Sequence, residues 1–190
     1  MTFTFASNLQ EHQLLFQNLG ALEAAVKEAS ELIATAFTSG NKLMLCGNGG
    51  SAADSQHIAA EMTGRFIKDR KPLPAIALTT DTSALTCIAN DYSFEDVFAR
   101  QIGALGRSGD VLIAISTSGN SGNVIKAMHV AKELGIKVIA LSGRDGGQTK
   151  SLADLSIIVP SQTTARIQEA HIFVGHLICG LVEKHLGLAD

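Results

Sequence analysis

The chain has 190 residues, 46% apolar and 17% charged, a balance that excludes disorder and gives one ordinary domain enough material for a core. Its net charge of −3 offers no basic field for nucleic acid or an anionic membrane, so any phosphate must be bound locally. No apolar run reaches membrane-span length, the N-terminus lacks a basic-then-apolar leader, and Cys46, Cys87 and Cys179 are widely spaced among apolar residues; these features predict a cytoplasmic protein with reduced core thiols.

Ser7 is placed to cap a first helix running to about Leu19. Leu22, Ala25, Val26, Ala29, Leu32, Ile33 and Ala36 recur at helical spacing and predict a second helix, ending near Gly40. Both precede the first strand, so neither is a crossover within a sheet, and their apolar face is expected to meet another subunit. From there the pattern becomes strand, helix, strand. Strands are predicted at 43–46, 75–78, 111–115, 138–141 and 156–159, with helices near 52–66, 82–90, 95–105 and 121–134. A last helix runs from about Thr164 to His185, capped by Thr163 or Thr164. Such alternation predicts an α/β protein with a five-stranded parallel sheet and helices on both faces, a three-layer sandwich over 1–190 with no linker or repeat.

Ligands of such sheets bind beyond the carboxyl ends of the strands, and those ends are where this chain is polar. The first strand leads to Gly47-Asn48-Gly49-Gly50-Ser51, whose glycines allow a tight turn and close backbone approach to a ligand. Ser51 is a natural helix start. Beyond it Asp54, His57, Glu61 and Arg65 fall within about 80° of helical arc, a single ionisable stripe. A wet outer helix face accounts for such a stripe too, and the turn is neither a dinucleotide fingerprint nor a P-loop, so neither NAD nor ATP is implied. The third strand leads to Ser116-Thr117-Ser118-Gly119-Asn120-Ser121, four hydroxyls around one glycine ahead of a helix start, where exposed N–H groups and the helix dipole favour an anion. A cap needs one hydroxyl, not four, and a phosphate monoester suits the loop without a lysine.

On the last helix His171 falls within the apolar arc, a hydrogen-bonded core histidine by pattern, and His185 reads as a frayed-end residue. His57 and Glu61, four apart, can share one cation from a single helix, and Gln168 with His176 can complete a four-ligand set. Spacing does not require it: the two pairs lie more than a hundred residues apart, and His176 is equally a solvent-facing histidine.

Cys46-Gly-Asn-Gly-Gly-Ser51, Glu61-Met-Thr-Gly-Arg65, Ala89-Asn90-Asp91, Gly109-Asp110-Val111, the serine loop, and Arg166-Ile-Gln-Glu-x-His171 with His176 together resemble the sugar isomerase (SIS) domain family. The resemblance covers nearly the whole chain, and the joint presence of His57, Glu61, Gln168 and His176 points to its heptose-phosphate branch. It implies a flavodoxin-like SIS fold and isomerisation of sedoheptulose 7-phosphate to D-glycero-D-manno-heptose 7-phosphate, toward lipopolysaccharide or related heptoses. It further implies that Asn48, Gly49, Gly50, Ser51, Arg65, Asn90 and Asp91 meet the sugar, and that Ser116, Thr117, Ser118 and Ser121 hold the phosphate. His57, Glu61, Gln168 and His176 would bind one Zn²⁺, with Glu61 and Gln168 also touching substrate and Glu61 and His176 forming the acid/base pair. Members are homotetramers with sites between subunits. Whether Glu61 is base, ligand or both stays open. A different phosphosugar isomerase, or a non-catalytic member that binds a phosphosugar or a replication-initiator protein, shares the fold. Such a regulator would lack the acid/base residues, which are present here.

Overall fold

Burial of the central strands on both faces decides the architecture. The computed structural model describes residues 3–189 and contains β1 (Leu43–Gly47), β2 (Ala75–Ala77), β3 (Val111–Ser116), β4 (Lys137–Gly143) and β5 (Leu155–Val159). All pair in parallel, in the order β2-β1-β3-β4-β5. Leu43, Leu45, Ile113, Ile115, Ile139 and Leu141 face one layer, while Met44, Cys46, Leu112, Ala114, Val138 and Ala140 face the other. A strand buried on both faces is nearly all apolar, as these are, and needs helices over each face.

The helices are α1 (Phe5–Asn18), α2 (Glu23–Thr38), α3 (Gly50–Thr63), α4 (Thr82–Asp91), α5 (Ala99–Leu105), α6 (Gly122–Glu133), α7 (Thr149–Leu152) and α8 (Thr164–His185). Helices α2, α3 and α8 cover the first face through Val26, Ile33, Ile58, Met62, Val174 and Ile178. Helices α5 and α6 cover the second through Ile102, Val124, Ala127 and Met128. The chain order reverses between β1 and β3, so the crevice at their carboxyl ends is the topological switch point.

Several boundaries differ from the sequence reading. Thr4, not Ser7, caps α1; Ser7 is the reciprocal partner of a capping box, with its N–H donating to Thr4 Oγ1 at 3.1 Å. Helix α2 buries its apolar face in its own chain, against α8 and the sheet, so it is not an unpaired surface. Exposed apolar residues include Phe5, Leu9 and Leu14 on α1 and Phe173 and Leu177 on the outer side of α8. The segment expected as one helix at 95–105 splits into a 3₁₀ turn, Phe94–Asp96, and α5. Four residues make α7 too short to leave a periodic signal. Cys46 and Cys179 are buried, but Cys87 lies exposed on α4, a helix with no fully buried residue. Among the described residues no helix is long and apolar enough to cross a membrane.

At the opposite, amino end of the sheet, Asp110 is 1% exposed and joins two strand starts. Its carboxylate accepts from Lys42 N at 3.0 Å, Arg107 N at 2.8 Å and Lys42 Nζ at 2.5 Å. Burial works against the charged form, yet the hydrogen bonds from Lys42 and Arg107 outweigh it and hold the carboxyl below the usual carboxylate range. A depressed folded pKa contributes stability that is complete above the unfolded value, about 3.9, and is lost as pH falls through the folded one. Asp110→Asn is therefore expected to cost about 1–3 kcal/mol at pH 7, and to flatten the acid limb of stability against pH below about 4. Urea unfolding across pH measures both.

Candidate active site

The glycine turn is built for close approach. Gly49 has φ +54° and precedes α3, whose first residue is Gly50; Gly49 and Gly50 are both exposed at the carboxyl edge. A Cβ on Gly47 would stand 2.7 Å from Ser51 Cβ, so only glycine lets the turn close. Ser51 is not the cap expected from sequence; it lies inside the first turn of α3 and is buried. Asn48 reaches across to the next loop. Its Nδ2 donates to Asn123 Oδ1 at 2.9 Å, and Asn123 Nδ2 returns a bond to Asn48 Oδ1 at 2.8 Å. The amide thus faces the start of α6, leaving the backbone of the turn for a ligand. Asn123, buried on the first turn of α6, stitches the two loops of the switch point together. Sequence reasoning missed it because an amide near a helix start resembles any local cap.

The serine loop closes β3. Ser116, 3% exposed, shares a 2.9 Å hydrogen bond with Ser121 Oγ, and Ser118 Oγ accepts from Asn120 N at 3.2 Å. Thr117 and Ser118 are half-buried. Ser121 stands at the N-cap of α6 without a side-chain cap bond, so its hydroxyl points into the loop rather than to the helix backbone. Gly119 has φ +67°, and a Cβ there would lie 2.0 Å from Gly146 O. The Gly-Gly turn after β4 therefore packs directly under the serine loop, with Thr149 N donating to Gly119 O at 3.0 Å.

Helices α3 and α8 run side by side in the same direction. Gln168 lies against Gly50, where its Nε2 would be 2.6 Å from a Cβ, and Gly175 lies against Ile58. In that register His176 Nε2 stands 3.1 Å from His57 Nε2, and His57 Nε2 stands 3.2 Å from Glu61 Oε1. One donor atom from each of His57, Glu61 and His176 lies within 4.8 Å of the other two. Phe66 stacks on the His176 ring at 5.6 Å. Two imidazole nitrogens facing each other with a carboxylate beside them lack an attraction of their own unless a proton or cation lies between them, and this N,N,O set suits a borderline cation. Beside them Asp54 Oδ2 is buried without a partner; burial holds that carboxyl above its usual range against the pull of His57 and His176.

Not every expected residue joins. Gln168 sits beside Gly50, at the start of α3. Helix α3 stops at Thr63, so Arg65 leaves the stripe and is exposed in the following loop. Asn90 and Asp91 end α4, exposed, with Asn90 Nδ2 donating to Asp91 Oδ1 at 2.8 Å. The chain then returns to the serine loop, since Glu95 Oε1 would lie 3.0 Å from a Cβ on Gly122 and Asp96 pairs with Lys126 at 2.6 Å. His171 is a core residue, as its pattern predicts. Its Nε2–H donates to Ser142 O at 3.1 Å, and burial lowers its pKa to about 4.

The SIS domain family model matches residues 9–143. The phosphoheptose isomerase of Rhodospirillum rubrum is 54% identical over 171 residues, 90% of this chain and 91% of that one. The chain belongs to the SIS domain family, among its phosphoheptose isomerases. The solved phosphoheptose isomerase of Neisseria gonorrhoeae superposes with a TM-score of 0.90 at 48% identity, covering 94% of this chain and 96% of that one. The Francisella tularensis enzyme gives 0.92 at 36% identity, with the same coverage. The fold is thus the SIS fold with its leading helices, and the protein is a phosphosugar isomerase.

For this isomerase the Asn48–Asn123 bridge has a measurable consequence. Asn123→Ala removes both amide bonds and should raise KM for the sugar phosphate about 10-fold, with a smaller effect on kcat. An unchanged KM in steady-state kinetics would show that the two loops hold their places independently.

Proposed function

We propose that the chain isomerises sedoheptulose 7-phosphate to D-glycero-D-manno-heptose 7-phosphate, with the phosphate in the Ser116–Ser121 loop and the carbonyl end toward Glu61 and His176. The observation that carries this reading is the convergence of His57, Glu61 and His176 on one point beside the carboxyl edge of the sheet. Moving a carbonyl from C2 to C1 requires removal of a proton from C1 and delivery of one to C2 through an enediol. Glu61 suits that carbon-to-carbon transfer, since a carboxylate can take the proton from one face of C1 and return it to C2. His176 suits the matching oxygen step, taking the proton of the C1 hydroxyl and giving one to the C2 oxygen near neutral pH.

His57, Glu61 and His176 fit a zinc ion by donor type and mutual distance. When bound, the ion would polarise the two substrate oxygens and favour the enediolate. Gln168 is the fourth expected ligand, and it lies beside Gly50 toward the start of α3. The exposed Phe173 and Leu177, flanking His176 on α8, offer an apolar face for a homotetramer with sites between subunits. In the same reading Gly49, Gly50, Asn90 and Asp91 meet the sugar, Arg65 approaches from the loop after α3, and residues 1–40 belong to the oligomer interface of a single SIS domain.

Chelation tests the metal. Turnover of sedoheptulose 7-phosphate by the purified protein should fall at least about 10-fold with chelator and recover with zinc; turnover indifferent to both would keep the isomerase and remove zinc from it. Replacing Ser118 and Ser121 with Ala should raise KM about 10-fold and leave kcat within a few-fold, because the phosphate is held alike in ground and transition states. An unchanged KM would place the phosphate elsewhere.

A further inference from the structure

Helix α3 ends in an unusual way. Its cap, Gly64, has φ −84° and ψ −105°, not the left-handed conformation that usually turns a chain back onto the last carbonyls, and its last turn holds no basic residue. The carbonyls are met instead by a guanidinium from farther along the chain. Arg70 Nη2 donates to Glu61 O at 2.7 Å, and Nη1 donates to Met62 O at 2.6 Å and Gly64 O at 2.9 Å. The same side chain donates through Nε to Glu183 Oε1 at 2.8 Å. The Glu183 carboxylate also accepts from Phe66 N at 3.1 Å and Ile67 N at 3.3 Å. Both side chains are sealed from solvent, Arg70 at 2% and Glu183 at 0% exposure.

The pair touches the reacting groups only through other residues. Glu183 lies seven residues, two helical turns, beyond His176 on α8. Phe66, whose N–H it receives, stacks on the His176 ring. Arg70 grips the main-chain carbonyl of Glu61 itself. One buried ion pair thus holds the backbone of the carboxylate residue, the aromatic ring against the imidazole, and the helix that carries the imidazole. A pair needed for stability alone is replaceable by apolar residues of similar volume, often at no cost. This one is also a three-way tie.

The geometry points to Arg70 and Glu183 as positioning residues of the isomerase, fixing the separation of the Glu61 carboxylate from the His176 imidazole; this rests on the roles proposed above for those two groups. Arg70→Lys keeps the charge and can keep the ion pair, but one ammonium cannot reach the Glu61, Met62 and Gly64 carbonyls together while holding Glu183. The double variant Arg70→Met, Glu183→Leu removes both charges and leaves none buried alone.

Both variants are to be compared with the wild-type chain by thermal melting, steady-state kinetics and zinc titration of metal-free protein. In folded variants kcat should fall at least about 10-fold with KM within about 3-fold, and zinc affinity should fall about 10-fold. Zinc titration reads the trio without turnover. Folded variants with wild-type kcat and wild-type zinc affinity would overturn the assignment while leaving the proposed reaction standing. Failure of both variants to fold would overturn it too, making the pair a folding element. A wild-type chain that binds zinc but does not turn over sedoheptulose 7-phosphate would instead remove the proposed reaction.

Discussion

The close, same-direction packing of α3 on α8 is the constraint on which the site depends. It is possible because residue 175 has no side chain: a Cβ there would stand 2.6 Å from Ile58 Cδ1. Ile58 and Gly175 are the immediate chain neighbours of His57 and His176, so a close approach of the helices is also where the imidazoles meet at 3.1 Å. The contact has an apolar half and a polar half. Ile58, Met62, Val174 and Ile178 are fully or almost fully buried against the sheet, while His57 and His176 emerge beside them toward solvent. Hydrophobic burial sets the helix spacing, and the polar trio inherits it.

The sheet supplies the second half of the design. Parallel strands in the order β2-β1-β3-β4-β5 leave a crevice where the turns after β1 and β3 diverge. The paired amides of Asn48 and Asn123 span that crevice, and Gly146 supports the serine loop from below by lying where a side chain on Gly119 would be. Serine loop and glycine turn are thus held by direct bonds between loops. Helix α3 runs from Gly50 at the glycine turn to His57 and Glu61 on its later turns.

The sheet and its order of elements were legible because a buried parallel strand has few ways to look: four to seven apolar residues between glycine- or hydroxyl-rich turns. His57, Glu61 and the serine loop were legible too, since each is local, a helix spacing or a short run. What stayed hidden is relational. Nothing in Ser121-Gly-Asn123 says that the amide turns to Asn48, and nothing in Arg70 or Glu183, more than a hundred residues apart, says that they meet. The apolar face of α2 was visible, whereas the surface that receives it, α8 of the same chain, was not. Arg65 fell from the stripe because the helix ends by a side-chain cap from Arg70 rather than by a signal in its own last turn.

Sedoheptulose 7-phosphate turnover by the wild-type chain and by Glu61→Gln, measured side by side, tests most directly whether α3 and α8 form an acid/base site. The predicted result is robust wild-type turnover and a loss of about 1,000-fold in the variant, with circular dichroism and oligomeric size unchanged. Near-normal turnover by a folded Glu61→Gln chain would contradict the assigned base, and a wild-type chain without turnover would contradict the reaction itself.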